Sequence, residues 1–273
     1  MAYWLVAVWL ALGMHAAQAQ ALRIGVLPYL SPRTLLVEFA PLREFLASEL
    51  QQEVEILTAS DLPRFLERSH AGDFDLVISA PHFARLAQTA DGYLPLVAIR
   101  ADFYALLLVP KNSPALTLHE LRGKTLHLPH KLSFVSMQIE DFLRQRGLQP
   151  EHDLRLLYYS TDNNAILATE NSAGDAGAAQ RSVFERMPRD ITSHLRIIGS
   201  TQSALSLIIL AHPRLATTAL PALQGALNKF PYSEPGLRFF QSSHSEFIPA
   251  DAATMAQLDA YLPRLKLRLA QGP

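Results

Sequence analysis

The chain has 273 residues, 49% of them hydrophobic and 18% charged, with a formal net charge of −1. That apolar content supports a substantial packed core, and so flat a charge balance excludes nucleic acid, whose phosphate backbone demands a basic face. There are no cysteines, which excludes disulfides, thiolate metal sites, cysteine nucleophiles and a lipid anchor on an N-terminal cysteine.

The first residues read as an export signal. Tyr3 to Gly13 is apolar, with Trp4, Leu5, Val6, Val8, Trp9, Leu10 and Leu12. It falls short of the roughly 20 residues that span a bilayer. Ala17-Gln18-Ala19 and Ala19-Gln20-Ala21 are both small-x-small cleavage sites. No Lys or Arg precedes the apolar run, so positive charge there comes only from the N-terminal amine; an uncleaved anchor is the alternative. Residues 1–21 are expected to be removed and the mature chain to be periplasmic.

Strands and helices then alternate. Leu22 to Leu27 reads as a strand, broken by Pro28 to Pro32. Leu35, Phe39, Leu42 and Leu46 recur at helical spacing and predict one amphipathic helix to about Leu50. Val54 to Leu57 is a second strand. Ser60-Asp61 before Leu62-Pro63 supplies a cap and an early proline, so a helix starts there and ends at Gly72. Phe74 to Ile78 reads as a buried strand, followed by a helix from Pro81 and a strand over Leu94 to Ile99.

The second half repeats the pattern. Tyr104 to Val109 is a strand, Thr117 to Leu121 a short helix stopped by Gly123, and Thr125 to Leu128 a strand. Val135, Ile139, Phe142 and Leu143 form one apolar helix face closed by Gly147. Leu154 to Tyr158 is a strand, and Asp162 caps a helix through Ala168. Strands follow at Ala176 to Ala179, Leu195 to Ile198 and Leu205 to Leu210, and helices at Leu220–Phe230 and Ala253–Leu269 end the chain. Such alternation implies mainly parallel sheets covered by helices. One continuous sheet would be very wide, so two lobes are expected. Residues 22–103 with 199–273 form the first and 104–198 the second, crossing near Asp102–Tyr104 and Gly199–Ser203.

Four stretches carry a family resemblance. They are Gly25-Val26-Leu27-Pro28-Tyr29-Leu30-Ser31-Pro32 followed by Pro41-Leu42-Arg43-Glu44-Phe45-Leu46; Gly72-Asp73-Phe74-Asp75-Leu76-Val77-Ile78-Ser79-Ala80-Pro81; Val109-Pro110-Lys111-Asn112-Ser113-Pro114 leading to Leu121-Arg122-Gly123-Lys124; and Gly174-Asp175-Ala176-Gly177-Ala178. In order and spacing, from about Leu22 to Ile248, the chain resembles the phosphate-, phosphonate- and phosphite-type periplasmic substrate-binding proteins of ABC transporters. The resemblance implies a two-lobed α/β Venus-flytrap fold with a hinge and a ligand in the cleft. It also implies a Ser/Thr-rich turn that holds the oxyanion at the start of the second lobe's first long helix. The matching stretch here is Pro129-His130-Lys131-Leu132-Ser133, which keeps one hydroxyl, with Ser136 a turn further on. A histidine that family members often carry matches Thr161, and an acidic or amide position falls near Gln180.

The candidate ligand-binding residues follow strand ends, where open α/β folds bind. Tyr29 and Ser31 follow the first strand; Ser79 and His82 follow another. Lys131 and Ser133 flank the helix start, where partial positive charge and unpaired N–H groups favour an anion. Thr161 and Asn163 lie at a further junction, and Gln180 and Arg181 end the Ala-rich strand. Each has a plainer reading: Ser133 as a helix cap, Lys131 as a solvated loop lysine, Tyr29 as packing, His82 as an ordinary surface histidine.

The ten histidines show no metal spacing, and no His-Glu-x-x-His, nucleophile elbow or Gly-rich phosphate loop occurs. No catalytic residue, metal or cofactor is expected. The leading function is a monomeric receptor that delivers a small, anionic, phosphonate-like ligand to an ABC permease. The alternative is a binding protein that docks on a sensor-kinase or chemoreceptor ectodomain, and a periplasmic lyase or dehydratase ranks last. N-terminal sequencing of the exported protein is expected to begin at Gln20 or Leu22; an intact Met1 in the membrane fraction would refute the signal reading.

Overall fold

The computed structural model describes residues 21–271 except 173, 202–203, 216–218 and 244. The expected export signal therefore lies outside the described residues. The first strands are short apolar runs. β1 (Leu22–Val26) is followed by α1 (Pro32–Glu38), α2 (Ala40–Leu50) and β2 (Val54–Leu57). The one helix expected up to Leu50 is two. Pro41 stands in the first turn of α2, where its missing N–H costs nothing, whereas deeper in a continuous helix it would break a hydrogen bond and clash with the preceding turn. Next come α3 (Leu62–His70), β3 (Leu76–Ser79), α4 (Pro81–Asp91) and β4 (Leu94–Phe103).

β4 leads into β5 (Ala105–Pro110), then β6 (Thr125–Leu128), α5 (Phe134–Arg144), α6 (Pro150–Asp153), β7 (Arg155–Tyr158), α7 (Asp162–Glu170) and β8 (Ala176–Gln180). The chain continues through α8 (Arg181–Arg186), α9 (Arg189–Thr192), β9 (Leu195–Ser200), β10 (Ala204–Ala211), α10 (Leu220–Lys229), α11 (Glu234–Ser243), β11 (Ser245–Pro249), α12 (Ala252–Ala256) and α13 (Leu262–Ala270). The expected last helix is split into α12 and α13, and Pro263 opens α13. The sequence reading has no element at α11, whose first turn holds Pro235 and Gly236. Glycine is needed there because a Cβ would lie 1.7 Å from the Phe230 carbonyl oxygen.

Two sheets result, ordered β11-β4-β10-β3-β1-β2 and β7-β6-β8-β5-β9. In the first, β1 is parallel to β2 and β3, while β10 opposes both β3 and β4. So β1 to β4 all point one way, and β11, antiparallel to β4, points the other. In the second, β6 to β8 are parallel, β5 opposes them, and β9, opposing β5, realigns with them. The fold is thus α/β, in two lobes with mainly parallel sheets. The chain leaves the first lobe at the carboxyl end of β4 and the second at the carboxyl end of β9. Both lobes therefore turn the carboxyl ends of their parallel strands toward each other.

The two crossings are tied together. Thr201 Oγ1 accepts from the Ala105 N–H at 3.0 Å, and the Thr201 N–H donates to the Ala105 carbonyl at 2.9 Å. Cores cover both faces of the first sheet, one built on Leu35, Phe39, Leu42, Phe230 and Phe239, the other on Phe65, Phe74, Phe83, Tyr93 and Leu265. Each such side chain contributes about 1.5–3 kcal/mol by leaving water. Helix α5 is buried around almost its whole circumference, including Ser136, Gln138 and Glu140. One face (Val135, Ile139, Phe142, Leu143) packs in the second lobe's core, while Met137, with the preceding Leu132, joins the first lobe's core. Among the described residues no helix is long and apolar enough to cross a membrane.

Gly177 lies in β8 where α7 crosses, and a Cβ there would fall 1.7 Å from Thr169 Oγ1. Gly177→Ala is expected to lower unfolding stability by about 1–3 kcal/mol, as overpacking does. Thr169→Ala in the same chain removes the hydroxyl and methyl clashes but keeps a Cβ at 2.8 Å, so it should recover part of that loss, as read by urea denaturation.

Candidate functional site

On the first lobe, the loops after β1 and β3 carry the candidate residues. Tyr29 packs against the cores on both faces of the sheet, and its hydroxyl donates to Glu38 Oε1 at 2.6 Å. Burial, then the Glu38 charge, raise its pKa well above the usual phenol value; Arg186 of the second lobe acts against them. Ser31 is exposed and caps α1, its hydroxyl accepting from the Thr34 N–H. Ser79 is buried at the end of β3. His82, in the first turn of α4, is 0% exposed. Its Nε2 lies 2.8 Å from the Leu132 carbonyl of the second lobe, so that nitrogen carries the proton. The ring stacks on Phe134, with centroids 5.1 Å apart and planes 10° from parallel.

On the second lobe, Ser133 caps α5. Its hydroxyl accepts from the Ser136 N–H at 3.1 Å and donates to Ser136 Oγ at 3.0 Å, which donates to the Pro129 carbonyl. The turn is further closed by the Leu132 N–H donating to His130 Nδ1 and the Ser133 N–H donating to the His130 carbonyl. Lys131 is half-buried, and its carbonyl accepts from Arg268. Thr161 caps α7 by accepting from the Asn164 N–H, with Asn163 exposed beside it. The Gln180 N–H donates to Asp162 Oδ1 at 2.7 Å, tying the end of β8 to the start of α7. The Arg181 N–H donates to the Tyr104 carbonyl at 2.9 Å, and its guanidinium lies 4.1 Å from the centre of the Tyr104 ring. That places a permanent cation, braced on an aromatic face, beside the hinge.

The strand ends thus bring Tyr29 and Ser79 to one side, and Ser133, Thr161, Gln180 and Arg181 to the other. Across the gap, Asp61 at the cap of α3 and His130 influence each other's charge. His82 departs from the surface position that its plainer reading assigns it, because it is enclosed where the lobes touch. Arg186, Phe134, Glu140, Arg264 and Arg268 also meet at or near the lobe contact, and the sequence reading passes over them. One signal was present: Arg264 and Arg268 are four apart on α13 and flank the buried Leu265. Among the described residues, no group of three His, Cys, Asp or Glu side chains is placed to hold a metal ion.

Burial sets two pKa values in opposite directions. It depresses His82 to about 4, against the Leu132 hydrogen bond and with some help from the Arg264 charge. It raises Asp162 to about 6, against the hydrogen bonds from the Gln180 N–H and its own. Neutral forms of both groups are favoured in the folded chain.

The sequence family described as "ABC transporter, phosphonate, periplasmic substrate-binding protein" matches residues 24–255. No curated protein matches the chain. Among solved structures, PhnD1 of Prochlorococcus marinus in complex with methylphosphonate is similar at a TM-score of 0.74 and 19% identity, covering 90% of this chain and 98% of that one. The periplasmic aliphatic sulphonate-binding protein SsuA of Escherichia coli aligns at 0.70 and 18% identity, covering 93% and 94%. A binding-protein component of an ABC phosphonate transporter from Pseudomonas aeruginosa aligns at 0.70 and 15%, covering 92% and 98%. The chain belongs to the phosphonate-type family of periplasmic substrate-binding proteins.

The two shifted groups predict opposing pH effects on stability. His82 has a depressed folded pKa, so its contribution is present above 6.5 and is lost as pH falls through 4. Its full span corresponds to about 3 kcal/mol. Asp162 has a raised folded pKa, so its contribution is present below 3.8 and lost as pH rises through 6. Urea denaturation between pH 7 and pH 4 is expected to show His82→Gln gaining stability relative to wild type as pH falls, and Asp162→Asn losing it. Parallel curves for all three proteins would refute both assignments.

Proposed function

We propose that this substrate-binding protein captures a small anionic solute, phosphonate- or phosphate-like, between its lobes and presents it to an ABC permease. Residues 22–103 with 199–273 act as one lobe and 104–198 as the other. The observation that carries the reading is Arg181: a guanidinium fixed on Tyr104, at the carboxyl end of a parallel strand and beside the hinge. A planar, always-charged fork there suits an oxyanion. The starts of α5 and α7 add N–H groups that have no partner within their own helices. Ser133, Lys131, Thr161, Asn163 and Gln180 complete the second-lobe side, with Tyr29 and Ser31 opposite. Ser79 and His82 support this layer from behind. The protein works as a monomer in the periplasm after signal removal and catalyses no reaction.

A second reading, a sensory protein that docks on a kinase or chemoreceptor ectodomain, is favoured by one feature. Leu132, in the turn where the resemblance implies hydroxyls, faces the first lobe's core.

Calorimetric titration with methylphosphonate, inorganic phosphate and an alkanesulfonate tests the proposal. At least one anion should bind, and Arg181→Ala should weaken it by about 1.5–3 kcal/mol, roughly 10- to 100-fold. Lys131→Ala should cost less, since a half-exposed point charge is screened by salt. Binding of none of them, or unchanged affinity in both variants, would overturn the anion reading.

A further inference from the structure

We infer that the two lobes are clamped shut by the protein's own side chains, so that closure does not depend on a solute bridging them. The clamp lies where α4, α12 and α13 of the first lobe meet α5 of the second. Every contact in it joins two parts of the same chain.

Three layers build it. First, His82 of α4 donates to the Leu132 carbonyl at 2.8 Å and stacks on Phe134, which meets Tyr261 edge-on at 5.1 Å. Second, Leu132 and Met137, 3% and 0% exposed, are inserted among Ala80, Phe83, Met255, Leu258 and Leu265. Third, α13 reaches across with two arginines. Arg264 binds Asp141 with both terminal nitrogens, at 2.6 and 3.0 Å, and the Met137 carbonyl at 3.0 Å. Arg268 binds both oxygens of the fully buried Glu140 at 2.7 and 2.6 Å.

Opening the lobes by rotation about the hinge would draw these layers apart. It would expose apolar side chains buried in a common core and strip the buried Glu140 of its closest counter-charge, leaving only Arg144 of its own helix, 3.6 Å away and shared with Asp141 and Glu151. Both penalties oppose opening. In a flytrap without such contacts, the solute's own interactions must supply the closing free energy. Here the chain supplies it.

The lack of native cysteines makes the test direct. Ser48→Cys on α2 and Glu185→Cys on α8, both exposed positions, carry two spin labels whose separation is read by pulsed electron spin resonance. The labelled wild type, without added solute, should show one narrow separation that excess phosphate or methylphosphonate leaves unchanged. His82→Ala should raise the open-to-closed ratio about tenfold, from loss of one hydrogen bond and one ring contact. His82→Ala with Glu140→Gln and Arg268→Met, which removes both charges of the buried pair together, should yield a clear second, longer separation. Two separations in the wild type that phosphate merges into one would overturn the clamp, as would a folded triple variant indistinguishable from wild type. Should the triple variant not fold, the wild type and His82→Ala decide. The measurement uses the protein without solute, so it stands or falls apart from the titration that tests anion binding.

Discussion

Glu140 is a carboxylate with no exposure to water, held on a helix of the second lobe. Such a charge is tolerated only with a partner, and removing the partner typically costs about 3–5 kcal/mol. The Tyr158 hydroxyl donates to it from within the same lobe. Its closest cation is Arg268, 128 residues further along, on a helix that packs against the first lobe. Arg144 of the same helix lies 3.6 Å away but is shared with Asp141 and Glu151, so the partner that binds both carboxylate oxygens is in place only when the end of the chain has docked on the second lobe. The remaining interlobe contacts lie around that docked helix. With α13 in place, α5 is enclosed on both sides, Leu132 and Met137 have an apolar wall to enter, and the Leu132 carbonyl is carried to His82.

The same enclosure decides which polar groups remain for a solute. Tyr29 is committed to Glu38, His82 to Leu132, and Asp162 to the Gln180 backbone. The Ser133 and Ser136 hydroxyls close a local ring with the Pro129 carbonyl. Buried polar groups usually find partners, and these have found them within the chain, save for His82 Nδ1, which is buried without one. Arg181 differs in that its guanidinium is braced on an aromatic face, 4.1 Å from the centre of the Tyr104 ring. In the proposed site a cation at Arg181 takes the place of the ring of hydroxyls that the resemblance implies.

Much of the fold was legible in sequence because short-range rules govern it. Strand and helix alternate with clear period changes, and caps such as Asp61 and Ser133 stand where helices start, although the cap of α7 is Thr161, one residue before the Asp162 that the sequence suggests, because it is the Thr161 hydroxyl that accepts from the Asn164 N–H. The splits at Pro41 and Pro263 were misread because apolar periodicity runs through both prolines while the backbone cannot. Of the candidate residues, the placement at strand ends was legible: Gln180 closes β8 and Arg181 opens α8. What was not legible was the lobe contact. His82 looks like a surface residue at the start of a helix, and its burial is set by Leu132 and Phe134, some 50 residues away. Glu140 and Arg268 each sit in a helix of ordinary amphipathic appearance. Nothing within either helix announces that its polar face will meet the other.

The hinge has its own mechanical consequence. Its two strands are cross-linked by the paired hydrogen bonds between Ala105 and Thr201, at the point where the chain passes between lobes. Two separate tethers would let the lobes twist, shear and rock independently. Joined at Ala105 and Thr201, the two tethers must move together at that point, so a displacement carried by one crossing is passed to the other.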